Sequence, residues 1–419
     1  MNKVCLLNGS EDHCLGKIDN NIIIATGFCD GCWAALPPRY FYNKMITGNK
    51  RGFIKDIYSY NLTNDKIKKI GILPHNFHPR QYSGSIVLNN KYYIFGGYSY
   101  TPLTNTELEK YKRENIPLPS KSNIFTYNDS ICITYKNNEL VIKKSIQLPY
   151  PMCGFNIIRY KNKIYFFGGM IYTGNSFNCE IKFNNVEIGC SFFSMDIDNN
   201  GDIIENSVEF INNFKVTGRF TANVYIYEDN MYVIGGTNAN TKITNNDKGY
   251  CENAMYNVMD NWKYNFISKK WIKISNKKFP LINHGSILYK NNIILLGGVY
   301  HPRSIYCNKL IDKSQQYQWP DLKHRITDLD IETNVIKTPQ NKIKFQHFSN
   351  LIMVYDILKD TFYLSKYKLP LNISLPGVIR INETIYLLGG EANSRLLDGI
   401  YYGNCSSFTM KILIKEVLQ

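Results

Sequence analysis

Five times along the chain an apolar strand ends in Gly-Gly: YYIFGGY at 92–98, IYFFGGM at 164–170, MYVIGGT at 231–237, IILLGGV at 293–299 and IYLLGGE at 385–391. A worn member, NIIIATGF at 21–28, precedes them at the same interval. Members lie about 60 to 90 residues apart, the length of one four-stranded propeller blade with its loops. No other feature constrains the fold as strongly.

Residues 79–98, PRQYSGSIVLNNKYYIFGGY, show how one repeat is built. SGSIVL reads as a strand, and Asn89-Asn90 as a tight turn of residues that tolerate positive φ. KYYIF is a second strand, apolar at nearly every position, so both of its faces are expected to be buried. Gly96-Gly97 ends it where backbones are expected to crowd near the ring axis and no Cβ fits. The same pair of strands recurs in GFNIIRYKNKIYFFGG, TANVYIYEDNMYVIGG, HGSILYKNNIILLGG and GVIRINETIYLLGG, with CLGKIDNNIIIATG at 14–27 as the first.

A second hairpin follows each copy, marked by a Tyr, six residues and a bulky apolar residue. The pairs are Tyr60 to Ile67, Tyr135 to Ile142, Tyr264 to Trp271 and Tyr355 to Phe362. In the third repeat Met195 takes the Tyr position and the spacing lengthens to Ile203. Each repeat is thus a four-stranded antiparallel meander that cannot bury both faces alone, a problem solved by stacking around an axis. The expected fold is all-β, a six-bladed β-propeller filling residues 1–419 as one domain. Its blades are placed at about 10–72, 78–149, 152–213, 218–277, 282–369 and 374–417. Blade 6, ending at SSFTMKILIKEVL, is expected to supply its own outer strands, and KVCLLN at 3–8 is positioned to add a strand there and close the ring.

The topology places the loop after Gly-Gly and the loop leading into the next blade on the same face. That face holds the long insertions, roughly 28–55, 98–122, 170–190, 237–260 and 299–348, while the opposite face carries two- to five-residue turns. Long loops on a rigid scaffold are where function usually resides. Residues flanking the strands there include His78, Arg80, Tyr98, Tyr100, Tyr172, Arg219, Asn238, His284, Tyr300, His301, Arg303, Glu391 and Arg395. Arg, His and Tyr dominate the set, and the planar donor fork of Arg suits carboxylates and phosphates. The ligand expected from them is anionic: an acidic peptide or an acidic sugar. Arg80 and Arg219 have an alternative structural reading, as ties to backbone carbonyls between blades.

This arrangement resembles the kelch family of β-propellers over nearly the whole chain. The Gly-Gly strand ends, Arg80 and Arg219 where kelch repeats often carry Arg, and Trp271 at the kelch Trp position carry the resemblance. It implies a protein-binding module acting through the long-loop face. A narrower resemblance lies at Gly390-Glu391-Ala392, which looks like the start of the Gly-Glu-Ala segment of sialic acid mutarotases, also six-bladed kelch-type propellers. That resemblance implies Glu391 as general acid/base with Arg395 as the carboxylate's cation, on an acidic sugar such as N-acetylneuraminate. The family has its Arg six residues after the Glu; here that position is Leu397, and Arg395 is four away.

Composition narrows the rest. The chain carries a formal net charge of +15, but its lysines are scattered through turns such as NNDKGY and NKKFP, so nucleic acid is not the expected partner. Its 11 cysteines are odd in number and lack framework spacing, which favours a reducing compartment. MNKVCLLNGSEDHC has no long apolar run of signal-peptide type, so a cytoplasmic location is expected. No membrane insertion is expected, and the protein is read as a monomer. No cofactor or metal is expected. Cys29 and Cys32 form a lone CxxC, readable as a redox pair, as half a zinc site with His13 and Cys14, or as two loop cysteines. P-loop, GxSxG and HExxH motifs are absent.

Overall fold

A computed structural model describes residues 4–5, 10–29, 40–41, 44–45, 52–102, 106, 109–110, 113–114, 122–173, 176–179, 181–183, 186–211, 217–238, 256–277, 281–300, 304–306, 309–310, 336–337, 343–344, 347–397, 400–405 and 408–419. Six antiparallel blades form a β-propeller. Blade 1, the worn repeat, is complete: Cys14–Ile18, Asn21–Ala25, Asp56–Asn61 and Ile67–Ile72 pair in that order. Blade 2 is Gly84–Leu88, Lys91–Phe95, Ser130–Lys136 and Glu139–Lys144. Blade 3 is Cys153–Tyr160, Lys163–Thr173, Phe192–Asp196 and Glu209–Phe210. Blades 4 and 5 repeat the order with Asn223–Tyr227, Asn230–Ile234, Asn261–Asn265 and Lys270–Ile274, then Gly285–Tyr289, Asn292–Leu296, Ile352–Asp356 and Thr361–Leu364. The first strand of a blade touches the first strands of its neighbours, so first strands line the axis.

Blade 6 is closed from both ends of the chain. Gly377–Ile381, Thr384–Leu388 and Phe408–Leu413 pair in turn, and Val4–Cys5 adds to the outside, with Val4 opposite Thr409 and Cys5 opposite Phe408. The 3–8 segment therefore contributes the strand its sequence suggested.

The second strands explain why the ring holds. Along Lys91–Phe95, Tyr92 and Ile94 pack toward Ile23 of blade 1, while Tyr93 and Phe95 pack toward Ile164, Phe166 and Phe193 of blade 3. In blade 4, Val233 faces Phe167 and Phe192 of blade 3, and Tyr232 and Ile234 face Ile293 and Leu295 of blade 5. Ile294 and Leu296 of blade 5 meet Ile385 and Leu387 of blade 6, whose Tyr386 and Leu388 meet Ile22 and Ile24 of blade 1. Side chains alternate across a strand with period 2, so a continuously apolar strand feeds two cores at once. The core is thus a set of clusters between blades, and a blade on its own would have none.

The Gly-Gly pairs lie at the ends of second strands, one step out from the axis; the first glycine is crowded by the segment entering the next blade and the second by the segment entering its own. In each blade the first residue of the pair is left-handed and the second sits near φ +100°, as in Gly96 (54°) and Gly97 (101°) or Gly168 (75°) and Gly169 (98°). The second N–H then donates across the blade gap: Gly27 to Arg80 O at 2.7 Å, Gly97 to Met152 O at 2.9 Å, Gly169 to Arg219 O at 2.8 Å and Gly298 to Ile373 O at 2.7 Å. Only glycine reaches φ near +100° at low cost, whereas left-handed φ near +60° is open to other residues at about 1 kcal/mol. Blade 1 follows this rule: Thr26 fills the first position at φ 60°, and Gly27 keeps the second at 104°.

Of the Tyr markers, Tyr60 faces Ile67, Tyr264 faces Trp271 and Tyr355 faces Phe362 in register. Blade 2 is slid, with Tyr135 opposite Leu140 and Ile142 opposite Ile133. In blade 3 Ile203 makes only an isolated bridge to Ile197, and the outer strand is Glu209–Phe210, with Phe210 opposite Phe193.

A methyl at Gly168 would sit 2.6 Å from Arg219 O, the carbonyl that accepts from Gly169. Gly168→Ala is expected to destabilise by about 3 kcal/mol, against less than about 0.5 kcal/mol for Ile267→Ala on the exposed surface. Chemical denaturation of the two variants checks it.

Candidate functional site at the axial mouth

One residue per blade, placed just before or at the start of the first strand, is left-handed: Asp12 (φ 54°), Tyr82 (54°), Gly154 (67°), Thr221 (50°), Asn283 (57°) and Leu375 (51°). At Asp12, Gly154, Thr221 and Leu375 the turn directs the N–H sideways, toward the preceding blade. Gly154 donates to Tyr82 O at 2.7 Å, Thr221 to Gly154 O at 2.7 Å, Leu375 to Asn283 O at 2.9 Å and Asp12 to Leu375 O at 3.3 Å. The six residues surround the axis on the long-loop face and define its mouth. They share no residue type, which is why sequence reading passed over all of them.

Three side chains concentrate the polarity there. The Asp12 carboxyl is pushed well above the usual carboxylate range, first by burial and then by the nearby Glu391 carboxylate, with a hydrogen bond from the Tyr82 hydroxyl acting in the opposite sense. Tyr82 stacks on Tyr98 with centroids 5.7 Å apart and meets Phe220 edge-on at 6.2 Å. Gln81 donates to the Tyr98 hydroxyl. On the far side of the mouth Thr221 Oγ1 donates to Asn283 Oδ1 at 3.1 Å. Of the residues expected to line a site, Glu391 and Tyr98 are brought to this cluster.

Arg80 and Arg219 are enclosed, each at 0% exposure. Arg80 donates to His78 O at 2.7 Å, to Gly96 O at 3.2 Å and to both carboxylate oxygens of Asp129, with its guanidinium 3.8 Å from the Phe77 and Tyr127 rings. Arg219 repeats the pattern: Thr217 O at 3.2 Å, Gly235 O at 3.0 Å, Asp260 O at 2.8 Å and Asp260 Oδ2 at 2.8 Å. The side chain clamps the first glycine and the third strand of its own blade, while the main-chain carbonyl of the same residue accepts from the previous blade.

The other expected residues are more dispersed. Asn238 is buried and donates to Gly218 O. His284 lies against Gly298, and Tyr172 is half-buried opposite Phe177 in a hairpin continuing blade 3. His78 is exposed and stacks on Tyr127. Tyr100 pairs with Ile124, Tyr300 with Leu281 and His347, and Arg395 with Tyr402, but their side chains lie outside the described residues, as do His301, Arg303 and Cys32. Cys14 donates its thiol to Ser83 O at 3.2 Å, and burial pushes it up to about 11, the opposite of what a metal-ligating thiolate needs.

The insertions carry a second tier of pairing beyond the blades. Tyr98–Pro102 pairs with Ser122–Thr126, and Glu391–Leu397 with both Ile373–Ser374 and Ile400–Cys405. Val299–Tyr300 pairs with Leu281–Ile282 and His347–Phe348. Tyr256–Val258 of blade 4 runs parallel to Ser304–Tyr306 of blade 5, joining two insertions across a blade boundary.

Behind the mouth, Lys277 is buried between blades 4 and 5 and donates to Asn257 Oδ1 and Leu281 O, both at 2.8 Å. Burial, then the Arg219 charge, lowers it to about 7; burial, then Lys277, lowers His284 to about 3. Both groups lose their proton more readily folded than unfolded, so the unfolded chain binds more protons and stability rises with pH across each window. His284 contributes a rise from about pH 3 to 6.5, joined from about pH 4 by buried His13, and Lys277 contributes one that begins near pH 7 and is opposed above about pH 9 by the buried Cys14 and Cys190 thiols, which are pushed up to about 11. Denaturant melts across pH check this, and Lys277→Met should abolish the alkaline rise.

No family model matches the chain, and no curated protein matches it. Among solved structures, that of YjhT is similar, with a TM-score of 0.58 and 12% identity over 98% of this chain and 96% of that one. At that identity the likeness is one of fold, and it places the chain among six-bladed β-propellers.

Proposed function

We propose that this protein is a recognition module that binds a protein partner through the long-loop face of its propeller. One observation carries the reading: the insertions emerge on one face and are built up as paired strands around the axial mouth. Rigid strand pairs present side chains with less ordering cost on binding than free loops do. Replacing the blade 2 hairpin beyond Tyr98 and Thr126 with a short turn is expected to abolish capture of the partner in pulldowns while the melting transition persists. Equal capture by that variant and by variants with charges reversed in the other insertions would exclude this face.

A second reading, proton transfer on an acidic sugar with Glu391 as the base, draws on a different observation. The Asp12 carboxyl is pushed up by burial and then by the Glu391 charge, and a carboxyl held protonated beside a second carboxyl is how one site can hold an acid and a base at the same pH. It predicts faster anomer exchange of N-acetylneuraminate by NMR, lost in Glu391→Gln. Unchanged exchange with folded wild type removes this reading and leaves the first.

A further inference from the structure

The first strands that line the axis share a register, and that register gathers positive charge at one end. Lys17 lies opposite Ile22 in blade 1, Arg159 opposite Ile164 in blade 3 and Arg380 opposite Ile385 in blade 6. Each is the next-to-last residue of its first strand and faces the second residue of its second strand, so the three cations occupy one equivalent position. Equivalent positions of a propeller lie at one level of the ring. Here that level adjoins the short turns, at the end of the axis away from the mouth. In blades 2, 4 and 5 the same position holds half-buried Val87, Ile226 and Leu288.

Lys17, Arg159 and Arg380 are all exposed, and none has a carboxylate partner among the described residues. Arg159 Nε donates to Lys161 O at 3.0 Å and Arg380 Nη1 to Asn382 O at 3.3 Å, each to a turn of its own blade. The Arg380 guanidinium also lies 5.8 Å from the Tyr289 ring of blade 5. A guanidinium carries five N–H donors, so most of them are left for solvent or a ligand. Lys161 and Lys290, exposed in the turns of blades 3 and 5, add charge at the same end.

The carboxylates of these turns are engaged differently. Glu383 of blade 6 accepts from the Tyr289 hydroxyl of blade 5 at 2.6 Å, Asp229 of blade 4 from the Tyr160 hydroxyl of blade 3, and Asp19 of blade 1 from Asn90 Nδ2 of blade 2 at 3.0 Å. These bonds tie neighbouring turns together and hold the carboxylates between blades.

We propose that the short-turn end of the axis binds a small anion carrying several linked phosphate groups. This goes beyond the recognition reading, which concerns the opposite face. Blades 3 and 6 are three apart in a ring of six, so Arg159 and Arg380 stand on opposite sides of the axis, with Lys17 next to Arg380. Linked phosphates present charge to both sides at once, which a single phosphate does less well. Guanidinium forks take phosphate oxygens two at a time, and a lysine adds a point charge.

The test titrates the full chain with inorganic triphosphate by calorimetry. Arg159→Gln and Arg380→Gln are each expected to weaken binding at least about tenfold, and orthophosphate to bind wild type at least about tenfold more weakly than triphosphate. Glu228→Gln is expected to tighten binding, because Glu228 is an exposed carboxylate in the blade 4 turn at this end. Lys144→Gln removes one charge from the exposed outer strand of blade 2 and is expected to change nothing. All four positions are exposed, so the variants should keep the wild-type melting temperature. Adenosine triphosphate separates two sources of linked phosphate. Binding as tight as that of triphosphate or tighter identifies a nucleotide, weaker binding a free polyphosphate, and either supports the site. No binding of triphosphate, equal binding by wild type and both arginine variants, or equal weakening by Lys144→Gln overturns the proposal.

Discussion

The hydrogen bond from the glycine that ends a second strand, Gly27, Gly97, Gly169 or Gly298, to a carbonyl at the entry of the next blade is the joint on which this ring depends. It requires a backbone near φ +100°, a region closed to side chains, and a neighbour close enough that a Cβ on the first glycine would strike its carbonyl. With that distance set, second strands of adjacent blades come within reach of each other's side chains, and the clusters between blades can form. Arg80 and Arg219 strengthen the joint by coupling both of its partners, side chain to one glycine and main chain to another.

Much of the architecture was legible in the sequence because it rests on residue types with no substitute. Gly-Gly marks a conformation that only glycine adopts, and the doubly apolar second strands mark double burial. The worn first copy fits the same logic, since Ala25-Thr26-Gly27 keeps the one glycine that φ 104° demands. Less was legible where identity is unconstrained. The residues ringing the mouth, Asp12, Tyr82, Gly154, Thr221, Asn283 and Leu375, are united by a backbone dihedral and a main-chain bond, neither of which selects a side chain. Arg80 and Arg219 were visible as positions, but a sequence does not tell a guanidinium clamped under a strand from one offered to a ligand. Many insertion strands are only two or three residues long, too few positions for a period to show, and those stretches read as loops.

The electrostatics of the centre follow from this division. A chain of net charge +15 has no described cation reaching its axial mouth, because the arginines and the lysine placed there serve the joints between blades and satisfy their charge internally. Among the described residues a pair of carboxyl groups lies there instead, and burial, then their closeness, makes the Asp12 carboxyl hard to ionise.

The outer edge of blade 6 joins Val4–Cys5 to Phe408–Leu413, the first described strand to the last. During synthesis five blades can stack in sequence as they emerge, but this pairing must wait for the final segment. Until then Ile22 and Ile24 of blade 1 have no blade 6 to cover them. The nascent protein is an open arc with an apolar face at its leading end, the kind of surface that chaperones hold and that neighbouring chains stick to. Its vulnerable interval is set by the time taken to translate everything between the two ends, and shortening or lengthening the insertions changes that interval without altering the finished ring.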